Sequence, residues 1–411
     1  MISIHRMTLT LICAWSGFAT GCSSSDAATT VSESDDGGAT IPLPTGDAGI
    51  SVTTTDTLVR VHYPNGGHTI ALRGDAPPLA SDHGTPMKAV DSNVVELHVP
   101  LASGVTSLSF KPYLDDGAES RGPSYVVPAG KTIDVFPHFS NRQGQVVQVL
   151  SPFHSTTLEA DPQNNDQIVW AYLPPSYDEN PLLRYPVVYM HDGQNLWVDA
   201  HSTTGIAWHA DTEMDSAIEA GTMDEVIVIA PEHGPVRQRI YAPVSDPGYP
   251  QSSPANGSLY AKMVATELKP AVDAKLRTLP DRANTAALGS SLGGLMTAYE
   301  GVLYPDTFGL LGEMSPSAWW HNDWIVFQVD AQPASTPLAR IYVDQGTSET
   351  TLNAGMLARE YELHGYTLDQ NLKYYEEDGA QHDEAAWGRR LPTAFAYLFS
   401  PSREAIVTPT K

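Results

Sequence analysis

The chain has 411 residues, with 23 Lys+Arg against 48 Asp+Glu and a formal net charge of −25. That length exceeds one ordinary core and suffices for two domains plus tails. Such acidity repels nucleic acid and anionic lipid surfaces, which leaves neutral substrates as the expectation. Cys13 and Cys22 are the only cysteines, so the body of the chain has no disulfide, no cysteine zinc site and no thiol nucleophile.

At the N-terminus, His5 and Arg6 precede an apolar run from Leu9 to Ala14, and Ala19-Thr20-Gly21-Cys22 follows. This resembles a bacterial lipoprotein signal, with residues 1–21 cleaved and Cys22 lipidated. Residues 22–48 are small and acidic and read as a disordered tether. No later stretch reaches the ~18 apolar residues of a membrane span. The expected attachment is therefore lipid alone, on an exported protein held at the cell envelope (at the outer membrane by preference), or secreted if Cys22 is not lipidated.

Residues 49–140 show short extended runs separated by turn signals. Leu58–Tyr63 and His68–Arg73 flank Pro64-Asn65-Gly66-Gly67, which predicts a hairpin. Val94–Val99, Ser107–Phe110 and Thr132–Phe136 continue an all-β series, most simply a small sandwich. Ala71-Leu72-Arg73-Gly74, Phe110-Lys111-Pro112 and the Asp115-Asp116-Gly117 turn give it a loose resemblance to immunoglobulin-like, carbohydrate-binding-type modules. Residues 50–139 contain no tryptophan, so their aromatics read as core or interface rather than as a glycan platform.

From Gln145 to about 402 the rhythm changes. Ile168–Leu173, Pro186–Met190, Val226–Ala230, Thr285–Leu288, Phe308–Leu311, Ala339–Val343 and Leu372–Tyr375 are apolar runs with little alternation, as strands buried on both faces should be. Leu259, Met263, Val264, Leu268, Val272 and Leu276 mark one face of a helix. Alternating strands and helices predict an α/β fold, a mostly parallel sheet covered by helices. Residues 403–411 read as a tail.

Within this region Gly289-Ser290-Ser291-Leu292-Gly293 joins a strand to a helix-compatible stretch, the setting of a nucleophile elbow. The turn is tight enough that positions two before and two after the serine need almost no side chain, and both are glycine. An activated serine needs a base and a carboxylate to orient that base. His382, after the Leu372–Tyr375 strand, fits the base position. Two carboxylates follow the Ala339–Val343 strand. Glu349, past the strand end, is the favoured acid, and Asp344 is the alternative. The oxyanion donors are expected at the backbone N–H of Leu292 and of Gln194, the latter in the loop His191–Trp197.

Tyr189-Met190-His191-Asp192-Gly193-Gln194-Asn195-Leu196, Gly289–Gly294, Gly346-Thr347-Ser348-Glu349 and Gly379-Ala380-Gln381-His382 occur in family order. Together they resemble the esterase family that includes feruloyl and acetyl-xylan esterases, enterochelin esterases and mycolyltransferases. The resemblance covers residues 145–402. It implies an α/β-hydrolase fold, a Ser-acid-His mechanism, no metal and no organic cofactor. By position it carries the nucleophile to Ser291, the acid to Glu349, the base to His382 and the oxyanion donors to Gln194 and Leu292.

For the substrate, Trp197, Trp208, Trp319, Trp320, Trp324 and Trp387 are expected to border the active-site end of the sheet, where aromatic planes suit sugars or phenolic acids. Trp197, Arg239, Tyr241 and Trp319 are the candidate contacts, and residues 245–257 a candidate flap. The expected reaction is hydrolysis of carboxylic esters, on polysaccharide by preference. Acyl transfer and siderophore-ester cleavage remain alternatives, as does a non-catalytic glycan-binding surface lipoprotein.

Overall fold

The computed structural model describes residues 54–332, 339–351 and 353–399. The signal segment 1–21, Cys22, the tether 22–48 and the tail 403–411 lie outside the described residues.

The N-terminal β region contains β1 (Thr54–His62), β2 (Ile70–Gly74), β3 (Thr85–Pro86), β4 (Lys88–Ala89), β5 (Val94–Ala102), β6 (Ser107–Leu114), β7 (Ala118–Glu119), β8 (Tyr125–Pro128) and β9 (Thr132–Val135). One sheet has the order β4-β5-β1-β9, and the other joins β3, β2, β6, β7 and β8. Val59, Val61, Leu72, Val99, Leu108, Phe110, Val127 and Ile133, drawn from both sheets, share one apolar core. The expected hairpin between the first two strands does not form. β1 pairs with β5 and β9, whereas β2 pairs with β3 and β6. The Asn-Gly segment carries the chain from one sheet to the other, since burying the apolar sides of both strands in one core outweighs the local turn signal.

The second region begins with β10 (Gln145–Gln148), a two-stranded pair β11 (Phe153–His154) and β12 (Asp166–Gln167), and β13 (Val169–Leu173). β14 (Val187–Met190), β15 (Ile227–Pro231), β16 (Thr285–Ser290), β17 (Leu310–Met314), β18 (Arg340–Gly346) and β19 (Leu372–Glu377) follow. Eight of these form one sheet, ordered β10-β13-β15-β14-β16-β17-β18-β19. β13 runs antiparallel to both its neighbours, and the pairs from β15 to β19 are all parallel. This is the α/β-hydrolase arrangement, with its strand-order reversal at β15-β14.

The helices are α1 (Ala210–Glu219), α2 (Arg237–Tyr241), α3 (Gly257–Met263), α4 (Lys269–Lys275), α5 (Leu292–Leu303), α6 (Trp320–Asp330), α7 (Ala354–Leu363) and α8 (Glu384–Leu398). A π-helical segment, Val264–Leu268, links α3 to α4, so the predicted apolar stripe is one continuous helical stretch from Leu259 through Val272, and Leu276 caps it in an extended conformation. Val187 and Tyr189 of β14 point into one core, and Val188 and Met190 into the other. Burial on both faces explains why these strands lack polar alternation.

The two regions belong to one compact unit. Asn180 Nδ2 donates to the carbonyls of His62 and Pro137, each at 3.0 Å. Glu179 accepts from Tyr63 Oη and from the amides of Phe139 and Ser140.

Candidate active site

Ser290 ends β16 and Leu292 begins α5, which leaves Ser291 alone on the turn at φ 57° and ψ −120°. A non-glycine residue tolerates this sparsely populated conformation only where its surroundings enforce it, and here it thrusts the hydroxyl out of the sheet. A Cβ at Gly289 would stand 2.7 Å from the carbonyl carbon of Gly293. The strand-to-helix crossing therefore requires glycine on steric grounds.

His382 lies between β19 and α8. Its Nε2 is 2.8 Å from Ser291 Oγ, and its Nδ1 is 2.8 Å from Glu349 Oε2. With Nδ1–H donating to the carboxylate of Glu349, Nε2 is the lone-pair acceptor for the serine hydroxyl. The imidazole is about one-third exposed and the carboxylate is buried. Glu349 Oε1 also accepts from Ser315 Oγ and the Gly346 amide, each at 2.6 Å. Burial opposes ionisation of this carboxyl, but the bonds from His382, Ser315 and Gly346 outweigh it and hold its pKa below the ordinary value.

Asp344, the alternative acid, lies inside β18 and is fully buried. It accepts from Arg390 Nε, the Ser315 amide and Tyr342 Oη, each at 3.0 Å. Burial pushes its carboxyl up to about 6, against the pull of Arg390. The carboxylate that faces His382 is that of Glu349.

The loop after β14 forms a single 3-10 turn over Gly193–Asn195, preceded by Asp192 at φ 60°. A Cβ at Gly193 would lie 2.3 Å from the Ala230 carbonyl oxygen, so only glycine lets this backbone tuck against β15. The Gln194 side chain is held by Thr203 and the His233 amide. Among the described residues, the backbone N–H groups of Gln194 and Leu292 donate to no other group. Such free amides beside the Ser291 hydroxyl would suit a developing oxyanion.

The expected substrate contacts divide. Tyr241 is fully buried and its hydroxyl accepts from the Asp192 amide, so it supports the loop after β14 and does not face a ligand. Trp197 is buried in the core, as are Trp208, Trp320 and Trp387. Arg239 pairs with Asp161 and Gln163. Each was drawn inward by apolar area or by a carboxylate that sequence distance concealed. Trp319 stays part-exposed and packs on Tyr249 at 5.5 Å between ring centroids. Segment 245–257 is anchored at its start, where Asp246 accepts from the His321 amide and the preceding Val244 carbonyl accepts from Trp320 Nε1.

Three features escaped the sequence reading. Ser315 Oγ bonds Glu349 while accepting from Trp387 Nε1 and Arg390 Nη2. Ser317 Oγ lies 3.4 Å from Ser291 Oγ. Arg237 grips Asp192. None sits in a motif, and their signal lies only in spatial convergence. Among the described residues, Asp330, Glu360 and His364 bring metal-capable atoms within 4.8 Å of one another. Both His364 nitrogens already face carbonyls at 3.1 Å.

Residues 163–398 match the family model described as "Putative esterase". The chain belongs to this esterase family. It is a hydrolase acting on ester bonds. The uncharacterized protein YbbA of Bacillus subtilis is 24% identical over 255 residues, which cover 57% of this chain and 93% of YbbA. An iron(III) enterobactin esterase of Escherichia coli O6:H1 is 30% identical over 145 residues, 34% of this chain and only 35% of that esterase. Among solved structures, a ferulic acid esterase superposes with TM-score 0.48 at 20% identity, covering 63% of this chain and 98% of that one.

Proposed function

We propose that this carboxylesterase works through an acyl-enzyme on Ser291. The observation that carries the reading is the unbroken relay from Glu349 through His382 to Ser291, with both links at 2.8 Å. Ser291 Oγ attacks the ester carbonyl carbon while His382 Nε2 takes its proton. The carbonyl oxygen becomes an oxyanion held by the amides of Leu292 and Gln194. Collapse expels the alcohol, which receives the proton from His382, and Glu349 stabilises the imidazolium meanwhile. Water then attacks the acyl-enzyme with His382 as base, releasing the carboxylic acid and restoring Ser291.

For the substrate we favour neutral esters on polysaccharide, of feruloyl or acetyl type. The net charge of −25 and the engagement of both α2 arginines by carboxylates support this over an anionic substrate. The Tyr249–Trp319 pair offers an aromatic surface for a ring. Siderophore-ester cleavage is the second reading, favoured by the local match to the enterobactin esterase. In the same reading the β module positions the enzyme on its substrate, and Cys22 anchors an exported protein through lipid.

The test is turnover of p-nitrophenyl acetate and butyrate by the full chain beside Ser291→Ala. A loss of ~10³-fold or more is expected of a triad serine. Equal activity in the two proteins removes Ser291 from the mechanism. Feruloyl, acetyl-xylan and siderophore esters then rank the substrates.

A further inference from the structure

We propose that Arg237 is a positioning residue that clamps the two halves of the oxyanion hole together; the inference rests on reading Ser291 as the nucleophile. The hole draws one amide from the β14 loop and the other from the start of α5. Nothing covalent near the site fixes the distance between them.

Arg237 spans that gap. Its Nε and Nη2 each donate at 2.7 Å to the two carboxylate oxygens of Asp192, a planar fork on a planar acceptor. Nη2 also lies 3.4 Å from the carbonyl oxygen of Ser290, the residue before the nucleophile. One guanidinium thus holds the residue two before Gln194 and the residue two before Leu292.

The grip on Asp192 comes from both its ends. Tyr241, one helical turn after Arg237 on the same face of α2, accepts from the Asp192 amide at 2.9 Å. Between these contacts Asp192 keeps its φ of 60°. Its Oδ2 also lies 3.3 Å from where a Cβ on Gly293 would stand, so the carboxylate rests against the elbow itself. Burial penalises a charged Asp192, yet the charge and hydrogen bonds of Arg237 hold the carboxyl below its ordinary pKa. At neutral pH Asp192 is therefore the carboxylate partner of the guanidinium.

A clamp of this kind acts on the transition state and not on ground-state binding. The test measures kcat, KM and two inhibitors on the full chain, as wild type, Arg237→Lys, Arg237→Met and the charge-balanced Asp192→Asn/Arg237→Gln. One inhibitor is a trifluoromethyl ketone, whose carbonyl carbon takes Ser291 Oγ and whose oxygen becomes an anion in the hole. The other is the carboxylic acid product.

In Arg237→Met, kcat should fall ~10²-fold, within the range of losing one oxyanion donor, with KM within about threefold. Affinity for the ketone should fall in parallel while product inhibition is unchanged. Arg237→Lys, which keeps the charge but not the fork, should lose about tenfold. Wild-type kcat in any folded variant overturns the clamp, as does a kcat loss with undiminished ketone affinity. If the neutral variants fail to fold, the lysine variant decides by the same two readouts. Loss of turnover in Ser291→Ala tests the nucleophile separately, so failure of that reading is distinguishable from failure of the clamp.

Discussion

Ser315 Oγ donates to Glu349 Oε1 at 2.6 Å, and through that contact Glu349 is tied to α8. The same oxygen accepts from Trp387 Nε1 and Arg390 Nη2, so both lone pairs and the proton of one hydroxyl are used. Trp387 in turn sets its ring edge-on to the His382 imidazole at 4.9 Å. Ser315 stands at φ 40° just beyond β17, and its amide is held by Asp344. The Glu349 carboxylate is thus oriented by a buried hydroxyl that is itself oriented from two sides.

Ser315→Ala should lower kcat about tenfold with little change in KM, since a hydrogen bond to a charged group contributes ~1.5–3 kcal/mol. It should also lower the melting temperature, because the donors of Trp387 and Arg390 lose an acceptor in a dry site. Steady-state kinetics and thermal melts on one preparation check both. An unchanged kcat would show that Glu349 needs no help from Ser315.

The two carboxylates after β18 should separate cleanly by phenotype. Glu349→Gln should cost ~10²-fold or more in kcat, because the amide no longer stabilises an imidazolium, and should leave the fold intact. Asp344→Asn should instead destabilise, by ~3–5 kcal/mol if the buried Arg390 pair is broken outright. Chemical unfolding combined with kinetics distinguishes them, and the reverse pattern would exchange their roles.

Glu313 predicts a pH dependence of stability. It is fully buried in β17, its Oε1 accepts from Tyr361 Oη at 2.6 Å, and burial pushes its carboxyl up to about 8 from 4.5. A folded-state pKa above the unfolded one means that the native state binds the extra proton. This group's contribution is therefore present in full below pH 4.5 and is lost as pH rises toward 8, at up to about 1.4 kcal/mol per unit. Glu313→Gln keeps an acceptor for Tyr361 and cannot ionise. It should raise the melting temperature at pH 8 by several degrees more than at pH 5. Equal gains at both pH values would contradict a protonated Glu313.

Tyr249 and Trp319 bear on substrate choice. Replacing either by alanine should raise KM for feruloyl esters several-fold more than for acetyl esters, since aromatic pairing contributes ~0.5–1.5 kcal/mol beyond buried area. The ratio of kcat/KM on methyl ferulate and p-nitrophenyl acetate is the readout. A constant ratio would remove these rings from the acyl site.

The sheet was legible because strands buried on both faces must be apolar at nearly every position, and Val187–Met190 and Ile227–Ala230 are. The elbow was legible because its glycines are demanded by contacts within one short segment, as Gly289 against Gly293 shows. The hairpin reading of Leu58–Arg73 failed for the opposite reason. A turn signal reports that the chain bends, while the pairing partner is chosen by which face finds an apolar core. Tyr241 and Trp197 were misjudged as substrate contacts because an aromatic near a site looks the same in sequence whether it faces ligand or core.

By itself the sequence determined the α/β-hydrolase body and singled out Ser291 and His382 as candidates, since local sterics and strand order mark both, and it left Glu349 and Asp344 as alternative acids. Only the tertiary structure decided that Glu349 and not Asp344 faces His382, that Asp344 holds Arg390, that Ser315 joins Glu349 to Arg390, and that Arg237 bridges Asp192 to Ser290. The physical reason is separation. Arg237 and Asp192 are 45 residues apart, and Ser315 and Arg390 are 75 apart. A charge or hydroxyl carries no mark in sequence of the distant partner that will hold it.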